Sequence, residues 1–162
     1  MKFERMVRFI NFWPPFLFNG IKATHISKDL RKIDVQLKYR RTHTNNFGTQ
    51  YGGHLFSMTD PWYMLMLVHA LGKDYYVWDK KASIDFISPG RTNVFATIEL
   101  TQEKIDEIKA ATASGEKYLP EFVVELYDQH KKIVARVHRT VYVKRKPKTM
   151  SESKPSEGET ES

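Results

Sequence analysis

Gly52-Gly53 opens a long apolar segment reaching Leu71, and Asp60 lies inside it, seven residues after Gly53. Backbone N–H groups at a helix start have no intrahelical acceptor, and the aligned peptide dipoles add partial positive charge there. Glycine lets a ligand come close to that backbone. Gly53 is therefore a candidate donor to a developing oxyanion, a contribution of roughly 3–4 kcal/mol to a barrier. Asp60 is the matching candidate base or nucleophile. On an unbroken helix seven residues turn about 700°, which puts Asp60 nearly on the face of Gly53 but about 10 Å along the axis. One carbonyl carbon cannot touch both in a single subunit. Antiparallel helices from paired subunits would set Gly53 of one opposite Asp60 of the other, so this chemistry requires a dimer.

A second role for Asp60 stands beside the first. Pro61 cannot donate a helix hydrogen bond and turns the residue before it away from the α region. Asp followed by Pro is also a common N-cap and first-turn pair. Asp60 would then cap a second helical piece by accepting from the amide of Tyr63.

Other residues offer less. Asn45 either orients water or closes its loop, as Asx residues do in turns. His54 either lines the site or is a hydrogen-bonded structural residue. Arg91, just after the Pro89-Gly90 turn, is either a phosphate contact or an exposed turn arginine. Asp79-Lys80 reads as an ion pair or a site rim. Ser57 has no neighbouring base and no nucleophile elbow, so it reads as helix packing. His25, His43, His54, His69, His130 and His138 form no ligand spacing, and the chain has no cysteine. No metal or other cofactor is expected.

The elements that position these residues follow from periodicity. Ile33, Val35, Leu37 and Tyr39 alternate with polar residues, a half-buried strand, and residues 21–28 pair with it as a hairpin across 29–31. Residues 53–72 read as a central helix, too apolar for a surface one, with Gly72 as its stop. Strands follow over 81–88, with Ala82, Ile84 and Phe86 on one face, and over 92–100. Residues 101–113 read as an inserted helix capped by Thr101. A last hairpin spans 122–127 and 132–144, with Ile133, Ala135 and Val137 inward. The economical arrangement is α+β, an antiparallel sheet wrapped around one long central helix.

The 162 residues suit one domain with one core. Hydrophobic residues at 41% and aromatics at 13% exclude a disordered chain. The tail 147–162 holds two lysines and four glutamates and is expected to be disordered and acidic, so the net +7 leaves +9 on residues 1–146. Such a body favours an anionic partner. Nucleic acid would rest on charge alone, because no recognised module is present. The N-terminal helical segment 1–20 is interrupted by Arg8, Asn11 and Pro14-Pro15, too short an apolar run to span a membrane. It reads as a short amphipathic helix packed on the domain, with a membrane-surface anchor using Lys2, Arg5 and Arg8 as the alternative. No signal peptide is expected, and the cysteine-free composition fits the cytoplasm.

The spacing Asn45-x-x-Gly48-Thr49-x-x-Gly52-Gly53-x-x-x-Ser57-x-x-Asp60 resembles the active-site loop of hotdog-fold thioesterases of the phenylacetate-pathway kind. Pro14-Pro15-Phe16, Asp60-Pro61-Trp62-Tyr63, Trp78-Asp79-Lys80 and Pro89-Gly90-Arg91 are similar to a bacterial hotdog family of unassigned function. The first resemblance implies hydrolysis of an acyl-CoA or related thioester. Gly53 and Asp60 would be catalytic, with Asn45, Gly48, Gln50, Tyr51, Gly52, His54 and Arg91 around the substrate. It also implies a dimer or dimer of dimers with the site shared between subunits. Tyr51 stands where that signature usually has histidine, and its hydroxyl can still donate a hydrogen bond. The alternative is a hotdog protein that binds acyl-CoA or an acyl chain without hydrolysis. A hydratase is a weaker reading, because its Asp/His helix signature is not evident.

Overall fold

The computed structural model describes residues 2–147. Beyond Pro147, the acidic tail expected over 147–162 lies outside the described residues. Helix α1 (Lys2–Arg8), a 3-10 turn (Ile10–Phe12) and α2 (Pro14–Asn19) lead into the hairpin of β1 (Ile21–Ile26) and β2 (Lys32–Leu37). Then come α3 (Gly52–Ser57), α4 (Trp62–Leu71), β3 (Tyr75–Phe86), β4 (Val94–Glu99) and α5 (Gln102–Ala111). Strands β5 (Lys117–Tyr118), β6 (Glu121–Asp128) and β7 (Ile133–Arg145) complete the fold.

All strand pairings are antiparallel, in the order β1-β2-β4-β6-β7-β3, with β5 beside β7. Period-2 alternation places the core. Ile33, Val35 and Leu37 of β2 pair with Ile98, Ala96 and Val94 of β4, and all six are buried. They share one cluster with Trp62, Leu65, Met66 and Leu67 of α4. A helix enclosed by a sheet needs apolar residues on most sides, and α4 buries Trp62, Tyr63 and Leu71 as well. Burying Leu67 alone contributes about 2 kcal/mol. Tyr63 stacks on Phe122 with ring centroids 4.0 Å apart.

The stretch expected as one helix over 53–72 is two successive pieces, with α4 the long central helix and α3 its lead-in. Residues 58–61 interrupt it, because Pro61 has no N–H and Asp60 before it leaves the α region. The Asp60-Pro61 peptide is cis. The Pro61 carbonyl then accepts the first new helical bond, from the Leu65 amide at 3.1 Å.

Strand β3 starts at Tyr75, well before the expected residue 81. Asp79 pairs with Val141 and Lys81 with Thr140, so Lys80 is an extra residue in a bulge. Such an insertion breaks the alternation on which a strand reading depends. Phe86, expected on one face with Ala82 and Ile84, is exposed at the end of the strand.

The two sheet edges differ. Beside β1, the Asn11 side chain donates to the Ala23 carbonyl at 2.9 Å and accepts from the Ala23 amide at 2.7 Å. Beside β3 no strand among the described residues pairs on the side away from β7.

Candidate active site

Two clefts flank β3. The first, about 550 Å³, lies between the loop before α3 and the end of β3, and its walls include Asn45, Gln50, Tyr51, Gly52, Phe86 and Ser88. Asn45 closes the loop on itself: Oδ1 accepts from the amides of Phe47 and Thr49 at 3.0 and 3.1 Å, and Nδ2 donates to the Thr49 hydroxyl at 2.8 Å. Gly48 is left-handed (φ +67), and its carbonyl accepts the Tyr39 hydroxyl at 2.9 Å. Arg91 donates from Nη1 to the Phe47 carbonyl at 3.2 Å, which pins the loop, and it lines neither cleft.

Gln50 fastens that loop to the sheet. Its amide donates to the Gly90 carbonyl at 2.8 Å and its Nε2 to the Thr92 carbonyl at 3.2 Å. The residue is only 3% exposed, and Oε1 has no partner among the described residues. A buried acceptor left open in a cleft wall is suited to a ligand donor.

The amides of Gly52 and Gly53 begin α3 with no acceptor among the described residues. Gly52 lines the first cleft, where a Cβ would sit 2.9 Å from Cζ of Phe86. The Tyr51 ring lies so close over Gly53 that a Cβ there would collide with it. Tyr51 also meets the His54 ring edge-on at 5.1 Å, and His43 lies 5.3 Å from His54. The buried Nδ1 of His54 has no partner among the described residues. Burial, then the neighbouring His43, pushes the His54 pKa below its usual range, so the neutral imidazole is favoured. Ser57 donates to the Gly53 carbonyl at 2.8 Å, as helix packing would have it.

The second cleft, about 530 Å³, is lined by Phe56, Asp60, Asp79, Lys81 and Arg139, among others. Arg139 lies 4% exposed in the inward series of β7, between Val137 and Val141. A buried guanidinium is costly unless paired. Its Nη1 donates to Oδ1 of Asp60 at 2.9 Å and to Oδ1 of Asp79 at 3.4 Å, and Nε to the Thr59 hydroxyl at 3.3 Å. Asp60 therefore points at the sheet. It does not cap α4, whose N-cap position is Pro61 with no side-chain hydrogen bond. Oδ2 of Asp60 accepts nothing from the described residues. Burial raises the Asp79 pKa, with the Asp60 charge adding to the rise and Arg139 opposing it. Asp79 pairs with Arg139, and no ion pair joins it to Lys80 among the described residues. Both Asp79 and Lys80 line this cleft.

Asn45, Gln50, Tyr51 and Gly52 thus meet in one cleft and Asp60 lies in the other, with no lining residue shared. Gly48, Gly53, His54 and Arg91 stand outside the walls of both. Arg139 was missed in the sequence, though a signal was there: it is the next member of the inward series Ile133, Ala135, Val137. A cation in an apolar stripe needs an acid nearby. Among the described residues, no group of three or more His, Asp or Glu is placed to hold a metal ion. No helix among them is long and apolar enough to cross a membrane.

Residues 2–143 match a family described as a domain of unknown function (DUF4442). The chain belongs to the DUF4442 family. No curated protein matches it in sequence. Its fold is that of several solved structures. A Pseudomonas aeruginosa protein of unknown function, described as a probable thioesterase, superposes with a TM-score of 0.75 at 15% identity, covering 88% of this chain and 95% of that one. A Haemophilus influenzae thioesterase gives 0.62 at 13% identity, over 86% and 88%. The E. coli PaaI protein from the phenylacetic acid degradation operon gives 0.57 at 15% identity, over 90% and 94%. These likenesses establish the DUF4442 chain as an α+β hotdog fold, an antiparallel sheet around a long central helix.

Proposed function

We propose that this protein hydrolyses an acyl-CoA or related thioester in a site shared by two subunits. The observation that carries the reading is that two incomplete clefts lie along one unpaired edge strand. One offers the free amide of Gly52, with Gly53 next to it, and an open acceptor, and the other offers carboxylates on a buried arginine. If β3 pairs with its copy about a two-fold near residues 82–83, the Phe86 end of one strand meets the Asp79 end of the other. The Gly52-Gly53 amides of one subunit then face Asp60 of the partner subunit. The thioester oxygen accepts from the amides while Asp60, oriented through Oδ1 by Arg139, takes a proton from water through Oδ2. The water oxygen bonds to the carbonyl carbon, the resulting oxyanion re-forms the carbonyl as the C–S bond breaks, and the sulfur takes the proton held by Asp60 and leaves as the free thiol. Asn45, Gly48 and Arg91 hold the loop that carries Gln50 and Tyr51 toward the substrate. No metal or other cofactor enters the step. The solved neighbours whose names include thioesterase support this reading, and the positive body suits the phosphates of coenzyme A.

The chain has no cysteine, so a thiol reagent reports released CoA without protein background. Across an acyl-CoA panel, Asp60→Asn is expected to lower turnover by about 10²–10⁴-fold while sedimenting as the same folded dimer. Unchanged turnover removes Asp60 from the mechanism. A second reading, acyl-CoA binding without hydrolysis, is favoured by the Arg139–Asp60 ion pair, which already neutralises the acid. Saturable binding with no CoA released by the wild type selects it.

A further inference from the structure

Residues 5–18 hold an apolar surface that neither cleft uses. The inner side of this segment is fixed: Val7, Ile10 and Phe16 are buried, Phe16 meets Trp62 edge-on at 5.4 Å, and Asn11 is bonded twice to Ala23. The outer side is therefore presented by a held scaffold. It carries Met6, Phe9, Phe12, Trp13, Leu17 and Phe18, six of the fourteen exposed large hydrophobics among the described residues, with Phe12 and Phe18 each 71% exposed. Between this segment and the start of α4 runs an apolar groove of about 590 Å³, walled by Phe9, Phe12, Trp13, Pro61 and Leu65 among others.

The charge around this surface is mostly positive. Against the single acid Glu4, residues 2–28 hold Lys2, Arg5, Arg8, Lys22 and Lys28. Arg5 and Arg8 lie on α1 among the exposed aromatics, and Lys22 adjoins the residue that Asn11 grips. None of these cations is in an ion pair among the described residues. A two-fold contact between copies brings a patch against itself, and here that would set an excess of cations against the same excess, with Glu4 as the one acid on each side. An anionic lipid surface answers both halves of the patch. Aromatic and aliphatic side chains enter the headgroup region, and the arginines meet the phosphates.

We propose that the outer face of residues 5–18 is a docking surface for anionic membrane lipid. The docking is peripheral and reversible, and it does not depend on the catalytic reading. Because Pro61 walls the groove and Asp60 precedes it, docking brings the second cleft close to the bilayer.

The test is sedimentation of the full chain with phosphatidylcholine vesicles, with and without phosphatidylserine, at low and high salt. The wild type is expected to pellet with the phosphatidylserine vesicles and to be released by salt. Phe12→Ser/Phe18→Ser and Arg5→Gln/Arg8→Gln are each expected to weaken this by about tenfold or more, with thermal unfolding showing both variants folded. The arginine pair is exposed, so that variant keeps the test sound if the aromatic one misfolds. Three results overturn the proposal: no pelleting with either vesicle, pelleting that neither variant weakens, or a larger soluble assembly that the aromatic variant splits. The last would assign the face to a contact between copies.

Discussion

The two clefts beside β3 are made of different material. The first is mostly main chain: a self-bonded loop, the free amide of Gly52 and a glutamine oxygen without a partner among the described residues. The second is made of ionised side chains gathered on one buried guanidinium. Main-chain dipoles hold their aim without charge and tolerate a nearby neutral imidazole. The charged cluster depends on its cation, because removing Arg139 leaves two neighbouring acids without a counter-charge. The first cleft is therefore expected to fail locally when altered, and the second to lose stability when its cation is removed.

The largest effect should come from the second cleft. Arg139→Leu leaves Asp60 and Asp79 facing each other without their cation, and because both acids are part-exposed a loss of about 1–2 kcal/mol is expected in urea unfolding. A loss below about 0.5 kcal/mol would show that solvent, rather than Arg139, compensates the two acids. Just behind the first cleft, Gly53→Ala must push aside the ring of Tyr51, which lines it. A rise in KM of about tenfold, with unfolding nearly unchanged, is expected from steady-state kinetics. An equal loss of stability would erase the contrast between the clefts.

The smallest effect is one of sign. His54 has a depressed pKa, so its contribution to stability is present above its ordinary value of 6.5 and is lost as pH falls through the folded value. Asp79 has a raised pKa, so its contribution is present below 3.8 and is lost as pH rises through the folded value. Thermal unfolding across pH should show His54→Gln flattening the slope just below 6.5 and Asp79→Asn flattening the slope above 3.8. Neither variant should affect the other's window.

Much of the fold was legible, because its signals are local. Alternation in β2 and β4 marks strands whose inward residues are all buried. The apolar density around Trp62 and Met66 marks the helix those strands enclose. The first cleft was legible as a candidate for the same reason, its residues being nearly consecutive. The second was not, because Asp60 and Arg139 are 79 residues apart and only the sheet brings them together. Even so, the sequence had placed Asp60 before a proline, and Pro61 is what ends α3 and turns the acid toward β7. The early part of β3 was missed because Lys80 shifts the alternation by one.

That same inserted residue decides where the chain can vary in length. Before Lys80 the inward positions are odd-numbered, Val77 and Asp79; after it they are even, Ala82 and Ile84. Deleting Lys80 would keep these four residues inward and join them in one unbroken alternation, because it is the residue with no partner on β7. Deleting Lys81 as well would swing Ser83 and Asp85 toward the interior. Drift in this family should therefore exchange or lose the residue at the bulge while keeping the spacing on either side of it intact.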